Sequence, residues 1–179
     1  MEDIYIVLTY SGTILSRLIK IYTRKKYSHV SISLDKDLDK MYSFGRLNAY
    51  NPFIGGFVKE SIKFGTFKRF NKADTLIYEL KVDKDQFDRI NNELEQFIKE
   101  KEKYKFNFIG LVGAGFNLRL KRRNSYYCAE FVKHLIDNSD LDLNLPEVIK
   151  PDDFRKIKNK NMIFEGKLCD YYSKQAINT

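Results

Sequence analysis

The chain has 179 residues, of which 43% are hydrophobic and 15% aromatic, so we expect residues 1–179 to form a single domain with a substantial core. The net charge of +8 favours anionic partners such as lipid head groups, acidic polymers or nucleic acid. Two cysteines are too few for a disulfide-rich scaffold, and the apolar run 108–116 is too short to span a membrane. The acidic start of the chain is unlike a signal peptide, which favours a cytoplasmic protein with free thiols.

The first half of the chain predicts mostly strands. Residues 4–9 are β-branched and apolar, as in a buried strand. A helical stripe of apolar residues follows over 14–22, preceded by a capping sequence. Residues 27–34 alternate, with apolar side chains on one face and His29 with two serines on the other. The remaining predictions are a turn at 35–39, a hairpin partner strand at 40–46, a loop at 47–56 that covers a cleft or lies plainly on the surface, and one or two short strands within 57–70.

The second half predicts mostly helices. A strand over 76–82 is followed by Asp83, which caps a long helix over 84–103. Its inward-facing residues are predicted to be Phe87, Ile90, Leu94, Phe97 and Ile98. The secondary structure of segment 104–120 is ambiguous, and a helix is predicted to start at Asn124 or Ser125 and to run to 138. A loop is predicted at 146–151, a helical turn from 152–153 and a last strand at 162–169. This order favours an α+β fold over alternating βαβ units.

The chain has only two histidines and two cysteines, so few pairs of thiol and imidazole are available. His134 is six residues after Cys128 on the same predicted helix and points about 240° away from it, which excludes contact. His29 projects from a strand of the sheet on which that helix packs, so contact with Cys128 is permitted. His134 with Cys169 stays open, although no local pattern supports that pair.

Cys128 is placed where a cysteine becomes nucleophilic. If Ser125 is the N-cap, Cys128 lies in the first helical turn, where free backbone amides and the helix dipole stabilise a thiolate. His29 as the imidazolium would stabilise it further, and the free amides would stabilise an oxyanion. Taken alone, a free cysteine is more often a small buried side chain, and a strand histidine is more often structural. The combination of the two favours a nucleophile.

Two short motifs carry a resemblance to a known family. Residues 28–32 read Ser-His-Val-Ser-Ile and residues 126–132 read Tyr-Tyr-Cys-Ala-Glu-Phe-Val. Together they resemble the circularly permuted branch of the NlpC/P60, papain-like superfamily, in which a strand histidine precedes a cysteine that opens a helix. The resemblance covers roughly residues 4–138. It implies an antiparallel β-sheet or small barrel packed by helices, and a thiol hydrolase or acyltransferase acting on amides or esters. Relatives include peptidases, amidases and lecithin:retinol acyltransferase-like enzymes.

The third catalytic group is where the chain departs from the family pattern. The family places a polar residue on the strand after the histidine, and Ser43 is the match here, although a serine orients an imidazole weakly. Tyr42, Glu60 or no residue at all are the alternatives. Ser31 replaces the usual glycine, which is a mild change. Glu130 is expected to be structural. The predicted site therefore comprises Cys128 as nucleophile, His29 as base and Ser43 as orienting group, with Tyr127, Tyr42 and Glu60 bordering the substrate.

The expected partner is a small-molecule, peptide or lipid substrate, and an anionic surface fits the positive charge. We expect no metal and no cofactor, because the Gly-rich segments lack a phosphate-loop setting and the Cys and His residues lack zinc spacing. Three alternatives stay open: a binding module of the same fold without catalysis, a lipid-directed acyltransferase, and a nucleic-acid-associated protein that uses residues 121–123. No specific nucleic-acid contact is expected, since no RNA-binding signature is present. Most basic runs are simply solvated surface. The sequence leaves the oligomeric state open.

Overall fold

The computed structural model describes residues 1–13, 16–17, 20, 24–48 and 54–177. Elements are numbered in chain order within these residues. The strands are β1 (Glu2–Tyr10), β2 (His29–Ser33), β3 (Met41–Arg46), β4 (Gly55–Glu60), β5 (Asp74–Val82), β6 (Lys105–Phe106), β7 (Ser125–Tyr126) and β8 (Asn161–Lys167). The α-helices are α1 (Gly65–Arg69), α2 (Lys84–Lys99), α3 (Phe108–Gly115), α4 (Cys128–Asn138) and α5 (Leu168–Ile177), with 3-10 turns at Lys101–Lys103 and Pro151–Lys156.

Six of the strands form one antiparallel sheet in the order β4-β3-β2-β1-β5-β8. The fold is therefore α+β, as expected. The sheet is open rather than a closed barrel, since β4 and β8 are its two edges. The barrel alternative of the sequence analysis is thus wrong. The short strands β6 and β7 pair in parallel beside it.

The two faces of the sheet carry separate apolar clusters. The larger cluster joins the alternate apolar residues of β1 and β2 to the buried sides of α2 and α4, with the Phe44, Phe97 and Phe131 rings at its centre. The smaller cluster lies on the opposite face and includes Val7 together with residues of α1 and α5. The predicted alternation of residues 27–34 is confirmed, because Val30 and Ile32 belong to the larger cluster while Ser31 pairs with Val7.

Helix α2 follows the sequence prediction at its start and departs from it at its end. Asp83 accepts a hydrogen bond from the Gln86 amide, and the Gln86 side chain accepts one from the Asp83 amide, which completes a capping box. The helix ends at Lys99 and a separate 3-10 turn follows. Ile98 is 43% exposed, so its predicted inward orientation is wrong. The stripe that packs inward is centred on Ile90, Leu94 and Phe97.

Two segments predicted as strands do contain a strand, and each strand is followed by a helix that was not predicted. Within 57–70 the strand ends at Glu60, and Gly65, with a φ of 67°, turns the chain into α1. At the C-terminal end β8 stops at Lys167, where α5 begins with buried Leu168 and Tyr171 at helical spacing.

Two further predicted elements lie partly outside the described residues. Most of the predicted helix at 14–22 lies outside the described residues. Within it, residues 16, 17 and 20 are described, and they are helical. In the predicted loop 47–56, residues 49–53 lie outside them, and the loop ends where β4 begins at Gly55. Within the described part of the chain, no helix has both the length and the apolar character needed to cross a bilayer.

Candidate functional site

A cleft opens at the end of the sheet where β1 and β3 end and β2 and β4 begin. Thr9 pairs with His29 across the first two strands, and Arg46 pairs with Gly55 across the other two. The Cys128 side chain forms part of the floor of the same cleft. The apolar residues along its walls are Phe44, Phe67, Phe106, Phe108 and Leu111. The topology therefore brings the predicted thiol and imidazole to one concave site.

His29 is held by a carboxylate. Its Nε2 lies 2.9 Å from Oε1 of Glu60, the last residue of β4, and its ring lies beside that of Phe67. The Ser31 hydroxyl donates a hydrogen bond to the other Glu60 oxygen, and its Oγ lies 3.3 Å from the same Nε2. Glu60 is only 9% exposed, so solvent screens the pair weakly. These contacts fix the orientation of the imidazole and leave Nδ1 as its free nitrogen.

The electrostatic surroundings favour the imidazolium form of His29. Burial by itself opposes the charged form and lowers the pKa. The negative charge of Glu60, hydrogen bonds with Cys128 and Glu60, and the charge of Cys128 outweigh burial and raise the pKa to about 10. Cys128 lines the same cleft as His29 and is among the groups that raise the pKa of its ring, as the contact permitted by the sequence requires. His29 is therefore protonated at neutral pH.

Cys128 is the first residue of α4, and Tyr127 rather than Ser125 is the N-cap. Ser125 lies in β7, where it pairs beside Lys105, so the predicted helix start at 124 or 125 is wrong. Cys128 nevertheless lies in the first turn, as predicted, and the first amide bonded within the helix is that of Phe131 to the Tyr127 carbonyl. The Cys128 amide therefore lies among the free N–H groups of the helix start.

A polar network supports the start of α4 from behind. Burial raises the pKa of the Glu130 carboxyl, the Asn107 side chain and the Tyr127 backbone oppose this rise, and the buried Oε2 of Glu130 has no hydrogen-bond partner among the described residues. Asn107 also caps α3 by accepting from the Gly110 amide at 2.8 Å and donates to the Leu120 carbonyl at 2.9 Å. Glu130 is thus a positioning residue for the helix that carries the thiol, in line with its expected structural role.

Three predicted site residues lie elsewhere. Ser43 is fully buried and donates its hydroxyl proton to the Val30 carbonyl at 2.6 Å, so it does not orient His29. Tyr42 stacks on Phe57, outside the cleft. Tyr127 is buried, and its hydroxyl donates to the Ile149 carbonyl at 2.9 Å. The orienting position belongs to Glu60, which the sequence analysis named as an alternative but assigned to the border of the substrate.

Sequence reasoning missed two residues of the site. Ser31 was treated as a mild change from glycine, yet its hydroxyl bonds the carboxylate that holds His29. Gly45 lies directly beside the pair, because a Cβ there would be in ordinary van der Waals contact with both, 3.4 Å from Oε1 of Glu60 and 3.6 Å from Cε1 of His29. The signal for Ser31 was available in the sequence, since it lies two residues from His29 on the same face of the strand.

The remaining histidine and cysteine lie apart from the cleft. His134 bonds Glu93 at 3.0 Å through Nε2, and Cys169 lies in α5. Both cysteines are free thiols. Within the described ranges, no group of three or more His, Cys, Asp or Glu side chains is arranged to hold a metal ion. The chemistry that the cleft offers is that of a thiol, an imidazole and a carboxylate in series.

Comparisons of the sequence with family models and with characterised proteins find no match.

Proposed function

We propose that the protein is a thiol hydrolase of the papain-like kind that cleaves an amide or ester through Cys128. The observation that carries the proposal is the chain of contacts from the Cys128 thiol to His29 and on to Glu60, within one cleft. Covalent catalysis of this kind uses a nucleophile, a base and a third group that orients the base. The protein's two cysteines are free thiols, as is usual in a reducing compartment, so the proposal places the activity in the cytoplasm.

The proposed reaction starts from the thiolate of Cys128 and the imidazolium of His29. The sulfur attacks the substrate carbonyl carbon, the C–S bond forms, and the carbonyl oxygen takes up the negative charge. The free amides at the start of α4 are the nearest donors for this oxyanion. His29 then protonates the leaving amine or alcohol as its bond to carbon breaks, which leaves a thioester on Cys128.

The charge state of His29 suits both the formation of the thioester and its hydrolysis. The charge of Cys128 contributes to the raised pKa of His29, and that contribution ends when the sulfur is acylated. The imidazolium then releases its proton to the leaving group more readily. Neutral His29 next takes a proton from water, whose oxygen attacks the thioester, and the C–S bond breaks to release the acid. Glu60 holds the ring in position throughout.

The proposal is tested by the reactivity of two thiols in one chain. We expect iodoacetamide at pH 6 to alkylate Cys128 at least about tenfold faster than Cys169, because the cationic His29 ring and the free amides at the start of α4 favour a reactive sulfur at Cys128 alone. Peptide mapping by mass spectrometry measures both rates. His29→Ala is expected to abolish the difference.

Equal rates at Cys128 and Cys169 would refute activation and favour a binding module without catalysis. Hydrolysis of p-nitrophenyl acetate provides the second measurement, with loss of turnover expected in Cys128→Ala. Cys169→Ala is the matched control and is expected to retain turnover.

A second candidate, acyl transfer at a lipid surface, is supported by the outer face of α3. Ile109, Val112 and Phe116 share one side of this helix and are 54%, 56% and 66% exposed. The returning segment adds exposed Leu118 and Leu120, and it is held in place because the Leu118 amide donates to the Gly113 carbonyl at 2.9 Å. An exposed apolar patch on a fixed scaffold is typical of an interaction surface.

The charge beside this patch favours an anionic bilayer as its partner. The basic run 121–123 follows Leu120 directly and is fully exposed. Phe108 and Leu111 of the same helix line the cleft, so docking through α3 would bring an acyl chain close to Cys128. Apolar side chains flanked by Lys and Arg bind the interface of anionic membranes.

Vesicle flotation tests this candidate. We expect the protein to float with phosphatidylglycerol vesicles and not with phosphatidylcholine vesicles, and we expect Ile109→Ser combined with Phe116→Ser to reduce binding by about tenfold or more. Met162→Ser, which removes an exposed apolar residue from β8, is the matched control. Equal binding to both lipids, or equal loss in the control, would contradict a docking role for α3.

A further inference from the structure

The cleft contains a positive charge that the proposed reaction does not use. Arg46 is the last residue of β3 and lines the cleft together with His29 and Cys128. It directly follows Gly45, the residue that packs against the His29 ring. Arg46 therefore contributes its charge to the cleft that contains the reacting groups, and its backbone is fixed by strand pairing with Gly55.

Among the described residues, few side chains compensate the Arg46 charge. Its contacts in the described part of the chain are the Thr13 hydroxyl, 3.4 Å from Nη2, and the Phe70 ring, with Cζ 5.4 Å from the ring centroid. Burial and the positive charge of Arg69 lower its pKa despite the attraction of Glu60. The Glu60 oxygens are already bonded to His29 and Ser31. A half-buried cation in this situation is stabilised when an anion enters the cleft.

Hydroxyl groups beside Arg46 extend the same polar corner. Thr13 Oγ1 lies 3.4 Å from the Ser11 hydroxyl and 3.3 Å from the Ser16 amide nitrogen. Ser11, Thr13 and Ser16 all line the cleft. A planar guanidinium with hydroxyl donors at its side suits the oxygens of a carboxylate or a phosphate. Aromatic residues also line the cleft, which therefore combines a cationic, polar part with an apolar part.

We infer that Arg46 binds an anionic group, a carboxylate or a phosphate, on the substrate whose carbonyl carbon Cys128 attacks. This inference rests on the proposed function and names the substrate class: an amide or ester whose acyl or leaving part carries a negative charge. Arg46 acts as a specificity residue, because it selects the charged substrate without taking part in proton transfer.

Two alkylating reagents of nearly equal size test this role. Iodoacetate carries a carboxylate and iodoacetamide does not, so the ratio of their rate constants at one thiol reports an anion-binding group nearby. We expect Arg46→Gln to lower this ratio at Cys128 by about fivefold, in line with the loss of one cation at partly screened distance. The ratio at Cys169 is expected to stay unchanged in the same molecules. Arg46→Lys is expected to retain most of the ratio at Cys128.

Lys68→Gln is the matched control, since Lys68 is an exposed cation on α1 outside the cleft. An unchanged ratio at Cys128 in Arg46→Gln, or an equal fall in Lys68→Gln, would overturn the inference. The proposed function fails separately, through the absolute rate of iodoacetamide at pH 6. A folding defect in Arg46→Gln would change the ratio at Cys169 as well, which Arg46→Lys and circular dichroism check.

Protection experiments distinguish the two sources of the anion. Inorganic phosphate or acetate is added at millimolar concentration before iodoacetamide. Protection of Cys128 that Arg46→Gln removes supports the inference and assigns the preferred group to the anion that protects. Protection by neither anion counts against it.

Discussion

Glu60 is the residue on which the candidate site depends most. Sequence alternation identified the correct face for an orienting group but pointed to Ser43, whose hydroxyl is bonded to the Val30 carbonyl instead. Glu60 belongs to a strand that is not adjacent to β2, and its long side chain reaches His29 past Gly45. A carboxylate stabilises an imidazolium far better than a serine does. The weakness of Ser43 as an orienting group therefore no longer favours a binding module without catalysis.

We expect Glu60→Gln to lower hydrolysis by about 100-fold, because the imidazole loses its charged partner and becomes a weaker acid–base group. Because the pKa of His29 is raised from an ordinary 6.5 to about 10, its protonated form stabilises the fold fully below pH 6.5. This stabilisation is lost as the pH rises towards 10. The difference in unfolding free energy between wild type and Glu60→Gln should therefore shrink across this window, measured by urea unfolding.

Ser43→Ala serves as the control for Glu60→Gln. It removes a buried hydroxyl whose partner is a backbone carbonyl, so we expect a loss of about 1 kcal/mol in stability that does not change between pH 6.5 and 10. Hydrolysis should stay within a few-fold of wild type. A pH-independent difference for Glu60→Gln, or a loss of hydrolysis as large in Ser43→Ala, would contradict the assignment of Glu60.

At the scale of elements, the junction between α3 and α4 positions the thiol. Asn107 bonds the Gly110 amide at the start of α3 and the Leu120 carbonyl, and its side chain also stabilises the charged form of Glu130 at the start of α4. Gly110 makes this possible, since a Cβ there would lie 2.2 Å from Nδ2 of Asn107. The sequence analysis noted this glycine only as part of a poor phosphate-loop candidate. Its function in the fold is close approach to a capping side chain.

Gly110→Ala is expected to reduce the free energy of unfolding by about 1–3 kcal/mol, because the methyl group displaces the Asn107 amide. Gly45→Ala is the matched change, since its Cβ meets no atom closer than 3.4 Å and should cost much less stability. Chemical denaturation of both variants measures the difference. Equal stability losses would show that the Asn107 network does not hold the junction.

At the scale of the whole molecule, one sheet connects two apolar clusters. Phe131 is fully buried in the cluster under α4, while Phe164 on β8 lies in the cluster on the opposite face. The strands β1 and β5 contribute residues to both clusters. Loss of packing on either face should therefore weaken the same sheet, as expected of the single domain predicted for residues 1–179.

Phe131→Ala and Phe164→Ala are each expected to destabilise the protein by about 3–5 kcal/mol and to shift one cooperative transition. Far-UV circular dichroism and tyrosine fluorescence follow urea unfolding, and the two signals should coincide in both variants. Transitions that separate in Phe164→Ala would indicate that the two clusters unfold independently, which contradicts a single domain.

The sequence by itself determined the features that depend on local pattern. Alternation over 27–34 predicted the face of His29, the capping sequence at Asp83 predicted the start of α2, and a cysteine near a helix start predicted its first-turn position. These features follow from periodicity and capping within a few residues.

Only the tertiary structure decided which distant side chains meet. The open order of strands, the reach of Glu60 to His29, and the placing of Arg46 beside Cys128 arise from strand pairing between segments far apart in the chain. The same holds for helix α5, which the sequence analysis did not predict and which packs Leu168 and Tyr171 into the smaller apolar cluster. Local patterns limit which face a side chain occupies, whereas its partner is set by the packing of the whole chain.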